Sequence, residues 1–156
     1  TWDGAQEYCR WLSAKTGQDY RLPTQAEWEY AARGGQKADP KRPLKYAGSD
    51  NLDEVAWYSD NSNDQTHPVG GKKANALGLY DMSGNVWELC ADWYGENYYE
   101  QLAKGGRNPA GPVTGEYRLL RGGSWYDETF FSRSADRLRY QASVRSNDIG
   151  FRLARH

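Results

Sequence analysis

Arg21-Leu22-Pro23-Thr24-Gln25-Ala26-Glu27-Trp28-Glu29-Tyr30-Ala31-Ala32-Arg33-Gly34-Gly35 is the stretch on which the fold turns. Thr24 and Glu27 stand at the spacing of a capping box. In that arrangement the threonine hydroxyl and the glutamate carboxylate each satisfy an orphan backbone N–H of a helix's first turn. Pro23 precedes the cap and Gly34-Gly35 closes the pattern, which predicts a short helix between them. Upstream, Trp2, Ala5, Tyr8, Cys9 and Leu12 recur at three and four residues, one apolar stripe, so Thr1–Lys15 is also predicted helical, with Gly17 as its stop.

Downstream the character changes. Residues 36–71 are polar and rich in Pro, Asn, Asp and Gly, which predicts a long structured loop with a short strand near Val55–Tyr58. A loop of that length inside a compact domain is often functional or held by an ion. Val86 to Trp93 alternates apolar and polar, as a strand does. A second Gly/Pro-rich loop is predicted over 97–115, and Tyr117–Leu120 reads as a strand. There is no internal repeat and no linker, so residues 1–156 are read as one domain.

Composition bounds the rest. Only 38% of the 156 residues are hydrophobic, and mean hydropathy is -0.98. Seven Trp and twelve Tyr compensate, because each buries a large area and carries a polar handle. A net charge of -1 gives no global field for nucleic acid or a membrane surface. No apolar run reaches transmembrane length, so direct membrane insertion is not expected, and no signal peptide is visible. Met82 is the sole methionine, so Thr1 is not a natural start and the chain is expected to be a piece of a longer protein. Cys9 and Cys90 lack any metal-site spacing. They are expected to be buried free thiols, with a disulfide left open. His67 and His156 are too isolated to suggest a triad or a zinc site.

The tail, Arg121 to His156, opens on Gly122-Gly123-Ser124 and closes on a strand-like run, Ile149 to Leu153. Between them lie many arginines, no lysine, and Tyr126, Asp127, Phe130, Phe131, Leu138 and Tyr140 in no helical or strand period. That mixture suits a contact surface framed by fixed structure.

Three stretches, Arg21–Gly35, Asn75–Trp93, and Arg121–Trp125 with Gly150-Phe151-Arg152, resemble the formylglycine-generating-enzyme (sulfatase-modifying factor) family. The resemblance implies an α+β fold of the C-type-lectin-like kind, with two helices, short antiparallel strands and much irregular loop. It also implies that the family domain begins upstream of Thr1. The family's enzymes oxidise a substrate cysteine to formylglycine with two copper-binding cysteines. Their positions are held here by Asp127 and Ser132. A thiolate pair selects Cu(I), and neither a carboxylate nor a hydroxyl replaces it, so neither copper nor the oxidase activity is expected. The resemblance further implies a structural Ca²⁺ held by the carboxylates of Asp81 and Glu88 and the carbonyls of Gly84 and Val86. Such a set of oxygen donors suits that hard cation.

The tail resembles more closely the variable proteins of diversity-generating retroelements, a group that shares this fold. In that group a C-terminal segment is mutated at adenines within a fixed frame. The frame here is Arg121 to Trp125, Arg133-Ser134-Ala135, Arg137, Arg145 and Ile149 to Arg152. The implied variable, ligand-binding positions are Tyr126, Asp127, Phe131, Ser132, Asp136, Leu138, Tyr140, Val144, Ser146, Asn147 and Asp148. None is Glu, Gln, Lys, Met or Trp, the residues that randomised asparagine codons cannot produce; Glu128 and Gln141 are then fixed. Rigid aromatics with adaptable Asp, Ser and Asn suit protein contact. The frame arginines are expected to fork onto carboxylates or backbone carbonyls and lock the loops. The expected function is therefore a non-catalytic binding module for a protein ligand, displayed at a cell surface or outside the cell. The alternatives are a family enzyme with its site in the same region, or a sensor or scaffold domain without diversification.

Overall fold

The computed structural model describes residues 1–102 and 106–155. Helix α1 (Trp2–Thr16) is capped by the Thr1 hydroxyl and ends at Gly17 in the left-handed conformation. The two-residue strand β1 (Tyr20–Arg21) leads into α2 (Gln25–Ala32). Its capping box forms as predicted: Thr24 Oγ1 accepts from Glu27 N at 3.2 Å, and Glu27 Oε2 from Thr24 N at 2.9 Å.

The long loop departs from expectation. Residues 55–58 form no strand. Asn51 instead accepts from Asp53 N and caps a single helical turn, α3 (Leu52–Val55), which buries Leu52 and Val55 on one face. With Tyr46, Ala56 and Tyr58 these make a small separate core beneath the loop.

Strand β2 (Trp87–Trp93) is followed by the short helix α4 (Tyr98–Leu102), inside a segment predicted to be loop. Then come β3 (Tyr117–Arg121), a 3₁₀ turn (Thr129–Ser132), β4 (Arg137–Gln141), β5 (Ile149–Gly150) and β6 (Ala154–Arg155). The main sheet runs β4-β3-β2-β5. Its first three strands are antiparallel, but β5 lies parallel to β2 because the chain crosses over before it returns. β6 pairs with β1 and ties the end of the chain to the stretch before α2. Only two residues of the strand-like run from Ile149 to Leu153 enter the main sheet.

The sheet is covered on both faces. Leu89 and Leu120 join Ala5 and Cys9 of α1 in one cluster, with Leu22 and Trp87. Their sequence neighbours Cys90 and Leu119 join Trp28 and Ala32 of α2 in another, with Ala47 and Met82. Successive strand residues point to opposite faces, so a central strand between two helices is apolar on both. β2 accordingly does not alternate buried with exposed. Its polar residues Glu88 and Asp92 are buried and partnered instead: Glu88 by Trp28 and Arg152, Asp92 by Gln25 N.

Aromatic rings and arginines supply what aliphatic side chains do not. The Arg118 guanidinium lies between Trp2 and Trp93, 3.4 and 3.3 Å from the ring centres, and donates to Ala91 O. Burial lowers its pKa.

Candidate functional site

The tail is fixed at its start by Arg121, whose side chain is fully buried. Its guanidinium pairs with Glu29 of α2 and donates to the carbonyls of Ser134, Ala135 and Asp136. A single β3 residue therefore anchors the returning chain to a helix, as expected of a frame arginine. Gly122 and Gly123 follow at φ 102° and 77°. A Cβ on Gly123 would stand 2.9 Å from Ser132 Oγ and 3.0 Å from Phe131 O, so only glycine lets the two limbs of the tail pass this closely.

Trp87 then organises the surface from beneath. It is 1% exposed. Its indole N–H donates to Asp127 Oδ2 at 2.7 Å, its backbone N–H to Asp148 O at 2.7 Å, and its ring meets Phe131 edge-on at 6.1 Å. One buried residue thus sets the level of both ends of the predicted variable segment.

The predicted positions do not form one patch. Tyr126, Asp127 and Phe131 line a groove of about 740 Å³, together with Phe130, Glu128, Asp60 and Asp64. Tyr126 is 68% exposed and Phe130 44%. Val144 and Ser146 line a separate hollow of about 250 Å³ beside Thr1 and Phe151. Asn147 is exposed. Asp136 is held by the Arg133 fork at 2.8 and 3.0 Å. Leu138 and Tyr140 lie on β4, with Phe131 nearby, partly buried against the α1 side of the core, so each has a packing role as well as a surface. Asp148 is half-buried, with Oδ1 lacking a partner.

Ser132 corrects the sequence reading. It is 0% exposed, sealed beneath the Gly122-Gly123 turn, and its hydroxyl cannot reach a ligand at this surface. The sequence reading also missed Asp60 and Asp64. Their only signal is the turn-forming run Asp60-Asn61-Ser62-Asn63-Asp64, in which Asn63 and Asp64 take positive φ. That run and the residue before it touch the tail directly: Ser59 N donates to Asp127 O, and Ser62 Oγ to Trp125 O.

The whole chain, residues 1–156, matches the family model described as the sulfatase-modifying factor enzyme 1-like domain. The chain is a member of the sulfatase-modifying factor family. It is 40% identical over 157 residues to a Chlamydia caviae protein named serine/threonine-protein kinase pkn1, covering 99% of this chain and 23% of that protein. To the formylglycine-generating enzyme of Streptomyces coelicolor it is 34% identical over 176 residues, covering 99% of this chain and 50% of the enzyme. The chain thus spans half or less of these curated relatives. The solved structure of Treponema denticola variable protein 1 superimposes with a TM-score of 0.75 at 40% identity, covering 87% of this chain and 47% of that one. The mixed α and β architecture described above is the fold of this family.

Against the family's oxidase pattern, the first thiol position carries Asp127. Its Oδ2 accepts from the Trp87 indole, from Ser124 N at 3.0 Å and from the Ser124 hydroxyl. That oxygen holds the loop, while Asp127 still lines the groove. The second position carries the sealed Ser132. Cys9 and Cys90 are free and buried on opposite faces of the sheet. Burial pushes both thiols up, Cys90 strongly, so neither is a ready thiolate.

The family's calcium position can be tested against the residues present. Asp81 Oδ2 accepts from Gly70 N at 2.7 Å, while Oδ1 is buried with no partner. An orphaned carboxylate oxygen in the interior is costly unless something meets it. Asp81, Val86 and Glu88 line one hollow of about 400 Å³, which Gly84 does not reach. Glu88 is already engaged: Oε1 accepts from Arg152 Nη2 at 2.6 Å, and Oε2 from Arg152 Nε and from Trp28 Nε1. Among the described residues no group of three or more His, Cys, Asp or Glu side chains could hold a metal. Of the two carboxylates, only Asp81 keeps an oxygen without a partner, while both oxygens of Glu88 are taken by Arg152 and Trp28.

Proposed function

We propose that this domain is a non-catalytic binding module whose C-terminal tail presents a diversified surface to a protein ligand. One contrast carries the reading: Asp127, at the oxidase's first thiol position, is locked inward by three donors, while its neighbour Tyr126 stands 68% exposed. Where relatives place a reactive thiol, this chain has structural polar side chains beneath an exposed aromatic. Rigid aromatics over a fixed backbone favour contact, because few torsions are frozen on binding. The likeness to Treponema denticola variable protein 1 supports the same reading. The readable surface is Tyr126, Asp127 and Phe131 in one groove, with Asp136, Leu138, Tyr140, Val144, Ser146, Asn147 and Asp148 outside it. Display at a cell surface or outside the cell belongs to this proposal. So does a structural Ca²⁺ at Asp81, Gly84, Val86 and Glu88, with oxygen ligands and no part in chemistry.

The decisive experiment is to sequence the DNA downstream of the coding region. A near-copy of the tail's codons, differing only at adenines and lying beside a reverse-transcriptase gene, is the expected result. Its absence removes the diversification. A second reading, a family enzyme, draws on the 34% identity to the Streptomyces coelicolor enzyme. Incubating the full-length protein with Cu(I) and a cysteine-containing sulfatase-type peptide tests it, and formylglycine in the product would overturn the binding reading.

A further inference from the structure

A second large hollow lies on the loop between α2 and α3, and it shares no lining residue with the tail groove. It measures about 710 Å³, within the range of about 300–1,000 Å³ typical of small-molecule sites. Four cationic side chains reach it from separate points of the chain: Arg33, Lys37, Arg42 and Lys73. Arg33 pairs with Glu29 at 2.8 Å and Lys73 with Glu54 at 3.0 Å. The Lys73 pair is solvent-exposed and therefore weak enough to share with a ligand, while the Arg33 pair is only partly exposed. Lys37 and Arg42 enter no ion pair among the described residues.

Two carboxylates also line the hollow, but each is turned to the backbone. Asp39 Oδ1 accepts from Lys41 N and Asp50 Oδ1 from Lys45 N, both at 2.9 Å. They shape the loop, and with Arg33 and Lys73 already paired to Glu29 and Glu54, Lys37 and Arg42 are the two lining cations outside an ion pair among the described residues. Pro40, Pro43 and Leu44 give the wall an apolar stretch, beside the polar Ser49, Asn51 and Asn75. The prolines fix φ, Tyr46 and Ala47 bury the base of the loop, and Tyr46 bridges to Ser49. The concavity is thus formed before a ligand arrives, which lowers the cost of binding.

We infer that this hollow binds a small molecule carrying a phosphate or sulfate ester. Lys37 and Arg42 take the oxyanion, Arg33 and Lys73 stand behind them, and an uncharged ring lies against Pro40, Pro43 and Leu44. Arginine forks onto tetrahedral oxyanions, and lysine meets them as a point charge. The site is independent of the tail and of the binding function proposed for it.

The test is titration of the ¹⁵N-labelled domain with adenosine monophosphate and with glucose 6-sulfate, each paired with its uncharged parent. It is run at about 0.1 M ionic strength, where the Debye length is about 10 Å. The expected result is that at least one anion shifts the amides of residues 37–51, its uncharged parent does not, and the responding anion identifies the ester. Lys37→Ala with Arg42→Ala should weaken that binding about tenfold or more with an unchanged melting temperature, since both side chains are exposed. Tyr126→Ala should leave it intact. The proposal fails if neither anion shifts those amides, if adenosine or glucose binds as well, or if the double variant binds like the parent.

Discussion

Asp127 shows how much one carboxylate can settle. Its partners are a buried indole, a backbone amide and a hydroxyl, and all three lose their acceptor in Asp127→Ala. Leaving a buried donor unpaired costs about 1–3 kcal/mol, so urea unfolding should show a loss of that size. Asp127→Asn, which keeps one oxygen acceptor, should lose less. An unchanged midpoint for the alanine variant would mean that the loop is held by something else. The buried thiols give a second check. In native buffer a thiol reagent should leave Cys9 and Cys90 unmodified, and after urea unfolding it should titrate both, because they are buried and unbonded. At this scale the sequence was legible where a residue type is chemically decisive: the missing thiols, the frame arginine at 121. It was not legible at Ser132, whose burial depends on how closely Gly123 lets two limbs approach.

At the scale of elements, α2 is the clearest success of sequence reasoning. Its cap is local, written within four residues, and nothing distant has to be known. Thr24→Ala should cost about 1 kcal/mol, read from chemical denaturation. Glu27 belongs to the same cap. The Arg21 guanidinium, 2.6 Å away, leads in lowering its pKa from 4.5 to about 2, with the Thr24 N–H assisting. The folded value lies below the unfolded one. The contribution is therefore fully present above about pH 4.5 and is lost as pH falls toward 2. An acid titration of melting temperature should show Glu27→Gln losing part of that dependence; with nearly half the side chain exposed the effect will be small. Strand β2 was legible as a strand but not as a two-sided one, since its alternation hides the fact that Glu88 and Asp92 are buried and partnered. The turn α3 was read as loop because its cap, Asn51, sits among many equivalent polar residues.

At the scale of the molecule, Arg152 clamps the end of the chain to β2 and α2 through Glu88, which also receives the Trp28 indole. Removing one partner of a buried ion pair leaves the other uncompensated, at about 3–5 kcal/mol. Arg152→Ala should therefore be among the more damaging single changes, visible as a large fall in melting temperature. The proposed calcium site lies against the same clamp. Added Ca²⁺ should raise the parent's melting temperature and chelator should reverse it, with about 2.7 kcal/mol gained at a hundredfold excess over Kd. Asp81→Ala should abolish that response. A parent protein indifferent to both calcium and chelator would remove the ion.

The sequence by itself determined α1, α2, β2, β3 and the family, because caps, turn glycines and the Arg-Gly-Gly-Ser-Trp motif act over a few residues. It also determined the absence of the oxidase thiols at 127 and 132. Only the tertiary structure decided which tail residues reach solvent together. Trp87 holds Asp127 and Asp148 at one level, Ser132 is sealed, and Asp60 and Asp64 arrive from a loop some sixty residues upstream of the tail. Those placements arise from crossovers and buried partners far apart in the chain, and no short-range pattern encodes them.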